Sequence, residues 1–77
     1  MKKTTHQHFN LEEKSKEYLL LVANGYKYKE ISKITGLSLY QINICRKYLC
    51  NLLNAKTRAS LVYNGLKTKF IIYREIR

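Results

Sequence analysis

The chain has 77 residues, 45% of them hydrophobic, and its 15 Lys and Arg against 5 Asp and Glu give a formal net charge of +10. A single domain of that length buries only about 60% of its unfolded surface, which leaves little core volume for a catalytic cleft, and the apolar fraction excludes a disordered chain. No run of about 20 apolar residues is present to span a membrane; the cation excess suits a polyanionic partner, nucleic acid first, or simply keeps a small protein soluble.

The basic start MKKTTHQHFN is not followed by an apolar signal-peptide core before Glu12 and Glu13. His6 and His8 have no further ligands nearby, so residues 1–9 read as a flexible basic tail, and neither metal nor cofactor is expected. Cys45 and Cys50 have the spacing of neither a zinc site nor a disulfide framework, which fits reduced thiols and a cytoplasmic, nucleoid-associated protein.

Pro is absent and Gly occurs only at 25, 36 and 65, so the periodic apolar residues predict an all-α chain. A first helix over 10–24 opens with Asn10 three residues before Glu13, a pattern like a capping box. Leu11, Tyr18 and Val22 recur at helical spacing, Leu19 and Leu21 widen the apolar face, and Asn24-Gly25 ends the helix. A short second helix over 28–35 turns Ile31 and Ile34 inward. Gly36 makes a turn, and Ser38 with Gln41 caps a third helix over 38–53. A fourth helix over 57–67 carries Leu61 and Val62; beyond Gly65 both a continued helix and a short extended tail stay open. Two helices joined by a short Gly-containing turn make a helix-turn-helix unit. The expected fold is therefore an all-α, four-helix helix-turn-helix domain over residues 10–77.

On a wheel, Ile42, Cys45, Leu49, Leu52 and Leu53 of the third helix fall within an arc of roughly 100°. Tyr40, Asn43, Ile44, Lys47 and Asn51 lie on the opposite side. That second face suits the DNA major groove: Asn bonds adenine bidentately, Lys reaches guanine acceptors, and an aliphatic group packs on a thymine methyl. Tyr40, Asn43, Ile44 and Lys47 are the candidate base contacts. Lys27, Tyr28 and Lys29 start the second helix and Lys56 and Arg58 the fourth, where unpaired amides already favour phosphate. With Arg46 and Asn51 they form the candidate phosphate-contacting set.

Several segments match a family pattern in order. LEEKSKEYLLLVANG is similar to L-T-x-R-E-x-E-V-L-x-L-V-A-x-G, YKYKEISKITGLSLYQINIC to x-x-N-K-E-I-A-x-x-L-x-I-S-x-x-T-V-K-x-H, and LLNAKTRASLV to K-L-x-V-x-x-R-x-x-A-V. Leu21-Val22-Ala23 with Gly25, Lys29-Glu30-Ile31, Leu37-Ser38, Ile42 and Arg58 carry the match. From Leu11 to about Leu66 the chain thus resembles the DNA-binding domain of the LuxR/GerE family of bacterial transcription regulators, and the spacing rather than any tripeptide is specific. Glu12 and Lys14-Ser15 replace the pattern's Thr and Arg-Glu, which moves the first cap to Asn10. Ser32 replaces Ala, and Asn43 replaces a Lys that members turn toward bases, so the preferred base should change. The resemblance implies a stand-alone, GerE-like domain that homodimerises through its last helix on an inverted repeat with half-sites about one helical turn apart. Leu61, Tyr63, Phe70, Ile71 and Tyr73 are the candidate dimer contacts, although Leu61 and Val62 read equally well as core.

Two other functions fit parts of the sequence. GYKYKEISKITGLS also resembles the promoter-reading helix-turn-helix of bacterial sigma factors, with RNA polymerase as partner. A lone domain of this kind could instead pair with a larger regulator and silence it, with no need of the cations at 27, 29, 47, 56 and 58. No nucleophile, base and oxyanion set suggests an enzyme, and apolar residues split among short helices do not suggest a membrane-active peptide.

Overall fold

Four helices run in the order α1 (Leu11–Ala23), α2 (Tyr28–Thr35), α3 (Leu39–Leu53) and α4 (Arg58–Lys67). The structure, a computed structural model, describes residues 9–72 and Glu75; the candidate contact Tyr73 and residues 1–8 of the expected tail lie outside the described residues. The chain is all-α, with no strand among the described residues. No helix among them is long and apolar enough to cross a membrane.

Each helix starts where a side chain replaces the partners its first amides lack. Asn10 Oδ1 accepts from the Glu13 N–H at 3.0 Å. The Lys27 N–H donates to Glu30 Oε1 at 2.8 Å. Ser38 and Gln41 cap each other: the Gln41 N–H donates to Ser38 Oγ at 3.1 Å and the Ser38 N–H to Gln41 Oε1 at 3.0 Å. Thr57 and Ser60 repeat the arrangement at the start of α4, with both amide-to-hydroxyl distances 3.0 Å.

The ends are equally local. Gly25, at φ +93°, lets the Tyr26 N–H reach the Leu21 carbonyl and the Gly25 N–H the Val22 carbonyl, each at 3.0 Å, the paired bonds of a Schellman motif. Gly36 reverses the chain after α2 at φ +78°. Only residues 36–38 separate α2 from α3. Within that turn the side chain of Leu37 is buried, and Ser32 Oγ donates to the Leu37 carbonyl at 2.6 Å. The Ser32 hydroxyl thus fastens the turn.

α1 and α3 pair at the centre, and α2 and α4 each pack against both. Tyr18, Leu19 and Val22 of α1 meet Ile42, Cys45, Leu49 and Leu53 of α3, while Ile31, Leu37, Leu61 and Ile71 close the sides. Several side chains differ from their expected places. Ile34 is 52% exposed, and Ile31 alone of the α2 residues is buried. Leu52, at the margin of the apolar arc, is 50% exposed. Phe9, assigned to the tail, packs against the core.

Ile71, expected at a dimer contact, is a core residue at 0% exposure, and Leu61 takes the core alternative of its two readings at 1%. Gly65 explains Ile71. It lies within α4 rather than ending it, and a Cβ there would stand 2.7 Å from Leu19 Cδ2 and 3.3 Å from Ile71 Cγ1. The chain turns back after Lys67, with Lys69 at φ +64°, and the Ile71 N–H donates to the Gly65 carbonyl at 3.2 Å. Burying the Ile71 side chain is worth about 1.5–3 kcal/mol; α4 thus continues past Gly65 to Lys67, and the described residues 68–72 then fold back onto the core.

Gly65→Val inserts a branched side chain where Leu19 and Ile71 already touch the backbone. It should lower stability by about 2 kcal/mol or more, read as a shift in urea midpoint. An unchanged midpoint would show that Gly65 is not a close-approach site.

Candidate nucleic-acid interface

Because Ile42, Cys45, Leu49 and Leu53 turn inward, α3 presents Tyr40, Lys47 and Asn51 to solvent along one stripe. Tyr40 is 75% exposed, and no other large apolar or aromatic side chain among the described residues is freer. Ile44 lies on the same side but is half-buried, so only part of its side chain is available for contact. Asn43 and Arg46, assigned separate roles from the sequence, form one unit: Arg46 Nη2 donates to Asn43 Oδ1 at 3.1 Å. That bond fixes the amide, leaving Asn43 Nδ2 as a donor and the second lone pair of Oδ1 as an acceptor.

Exposed cations stand at the starts of two helices that one contact joins. Lys27 and Lys29 are exposed at the beginning of α2, and Lys56 and Arg58 at that of α4. Arg58 joins the two: its Nη2 donates at 2.8 Å to the carbonyl of Tyr26, in the turn before α2. One donor of the fork is used in this way and the others stay available. The Arg58 and Arg46 charges both act on the hydroxyl of Tyr18, which lies under Tyr28. Of the candidate phosphate set, the structure joins only the starts of α2 and α4, through Arg58, while Arg46 bonds Asn43 within α3 and Asn51 is exposed on the other side of that helix.

The candidate dimer set is not brought together. With Leu61 and Ile71 buried and Phe70 half-buried, only Tyr63 of the described candidates stands clear, at 65% exposure. Tyr63 instead borders a groove of about 470 Å³ formed with Val22, Ala23, Arg58, Ala59, Val62 and Leu66. The sequence carried a signal for it, since positions 59, 62, 63 and 66 follow the i, i+3, i+4, i+7 rule of a helix face.

The two thiols differ. Cys45 is fully buried, and burial pushes its thiol up from the ordinary value, opposed by the Ser15 hydroxyl and the Lys14 charge. The native state holds that proton more tightly than the unfolded chain does. This contribution to stability is complete at neutral pH and is lost as pH rises past the ordinary thiol value. Cys50 is half-buried, with Arg46 Nη1 3.9 Å from its Sγ. No three His, Cys, Asp or Glu gather as a metal site among the described residues.

Comparison of the chain with protein-family models, curated proteins and solved structures finds no match.

Iodoacetamide at neutral pH should modify Cys50 in the native protein and Cys45 only on unfolding, as resolved by peptide mass mapping. Equal modification of both thiols under native conditions would mean that α3 opens away from α1.

Proposed function

We propose that the protein is a sequence-reading regulator of transcription that binds double-stranded DNA, with α2, the 36–38 turn and α3 acting as a helix-turn-helix of the LuxR/GerE kind. The observation that carries this reading is the pair of opposite faces on α3. One is buried under α1; the other offers Tyr40, Asn43, Lys47 and Asn51, and exposed cations stand at the starts of α2 and α4, which Arg58 joins. A solvated face needs no such alignment. In the major groove Asn43 addresses adenine and Lys47 guanine, Tyr40 and the accessible edge of Ile44 pack on bases or methyls, and Lys27, Tyr28, Lys29, Lys56 and Arg58 hold phosphates.

The domain pairs with a second copy through α4. Tyr63 enters the groove between Ala59, Val62 and Leu66 of its counterpart, and the two-fold axis sets the two reading helices on an inverted repeat. An antagonist that captures a larger regulator would use this groove and not the cations, so it would stay active when Lys29, Lys47 and Lys56 are neutralised.

Asn43→Ala or Lys47→Ala should reduce discrimination between preferred and random duplexes by about 1–3 kcal/mol. Lys29→Ala or Lys56→Ala should weaken binding to all duplexes alike and flatten the slope of log affinity against log salt by about one unit. Titrations at several salt concentrations separate the two effects, and equal losses on every sequence from all four variants would contradict the division of roles. Tyr63→Glu should leave the fold intact and give a monomer by sedimentation equilibrium; dimers that survive it would place the contact elsewhere.

A further inference from the structure

Tyr18 is fully buried, and its hydroxyl makes no hydrogen bond among the described residues. An unpaired hydroxyl in such a place costs about 1–3 kcal/mol, and Phe would fill the same volume without it. The ring of Tyr28 meets that of Tyr18 edge-on, with centroids 6.2 Å apart and planes inclined at 60°. Tyr28 is the first residue of α2 and is 37% exposed, so it connects the sealed phenol with the surface where the amides of α2 begin. Its place is held from the other side, because Arg58 bonds the Tyr26 carbonyl two residues earlier.

The electrostatics agree in direction. Burial raises the Tyr18 phenol well above its ordinary value, the Tyr28 hydroxyl raises it further, and the Arg58 and Arg46 charges oppose the rise. The Tyr28 hydroxyl is thus near enough to act on the Tyr18 phenol, although no hydrogen bond joins the two in the free protein.

We propose that Tyr18 is a positioning residue for a phosphate contact: when duplex DNA binds, its buried O–H, unpaired in the free protein, comes to donate to the Tyr28 oxygen, so that the Tyr28 O–H is held as donor to a backbone phosphate, with Arg58 supplying the adjacent charge. The assignment rests on the DNA-binding reading above. A hydroxyl that accepts one hydrogen bond becomes a better donor in the next, and the bound phosphate closes a chain that is incomplete in the free protein. The unpaired hydroxyl of the core then has a purpose that a Phe could not serve.

The test compares the unaltered protein with Tyr18→Phe, Tyr28→Phe and the double variant, measuring duplex affinity across a salt series and thermal stability. Tyr18→Phe should melt at the same or a higher temperature, since it removes an unpaired group, yet bind duplex DNA about fivefold more weakly. Tyr28→Phe should lose at least as much, and the double variant no more than Tyr28→Phe alone. The salt slope should be the same for all four, because a neutral hydroxyl releases no counterions. Unchanged affinity in Tyr18→Phe, losses that add in the double variant, or a melting temperature that falls along with affinity would each overturn the assignment. An unaltered protein that fails to bind any duplex would overturn the DNA-binding reading itself, a result distinct from these.

Discussion

Ile42, Cys45, Leu49 and Leu53 are buried against α1 and its neighbours, and a helix that advances about 100° per residue has then no freedom in what it turns outward. Tyr40, Lys47 and Asn51 follow from that anchoring, as does the partial cover of Asn43 and Ile44 at its borders. The turn before α3 is fixed just as firmly: Gly36 reverses the chain, Leu37 is driven into the core, and Ser32 holds the Leu37 carbonyl. A helix set this rigidly suits the reading face proposed for it, because a tilt of a few degrees would displace the side-chain tips that the proposal sets against base edges.

Charge is organised by the same framework. The two basic helix starts are far apart in sequence, and Arg58 brings them into register by bonding the Tyr26 carbonyl across a separation of 32 residues. Arg58 also borders the apolar groove beside Tyr63. A single side chain therefore touches both the face proposed for phosphate and the face proposed for a second copy, so the two cannot move independently.

Much of the fold was legible in the sequence because its signals are local. Asn10, Ser38 and Thr57 cap helices through side chains three residues from their partners, and Gly25 and Gly36 take the left-handed conformation that non-glycine residues avoid. Long-range contacts were harder. Gly65 falls inside the expected fourth helix, and only the approach of Leu19 and Ile71 shows it as a place where α4 meets α1. For the same reason Ile71 reads as a surface contact when it is core, Leu61 stays open between the two, and Ile34 and Leu52 read as core when they are half open to solvent. On α3 the stripe was visible from periodicity alone. The Arg46–Asn43 pair and the buried Tyr18 hydroxyl were not, since rotamers and unpaired atoms leave no mark on a wheel.

The central claim is that α3 reads sequence from a two-fold dimer. Selection of bound molecules from random duplex DNA, carried out with folded protein at near-physiological salt, tests it most directly. Enrichment of an inverted repeat with half-sites about one helical turn apart is the result predicted. Recovery of an unenriched pool by well-folded protein would contradict it, and would leave the cationic face without a sequence to read.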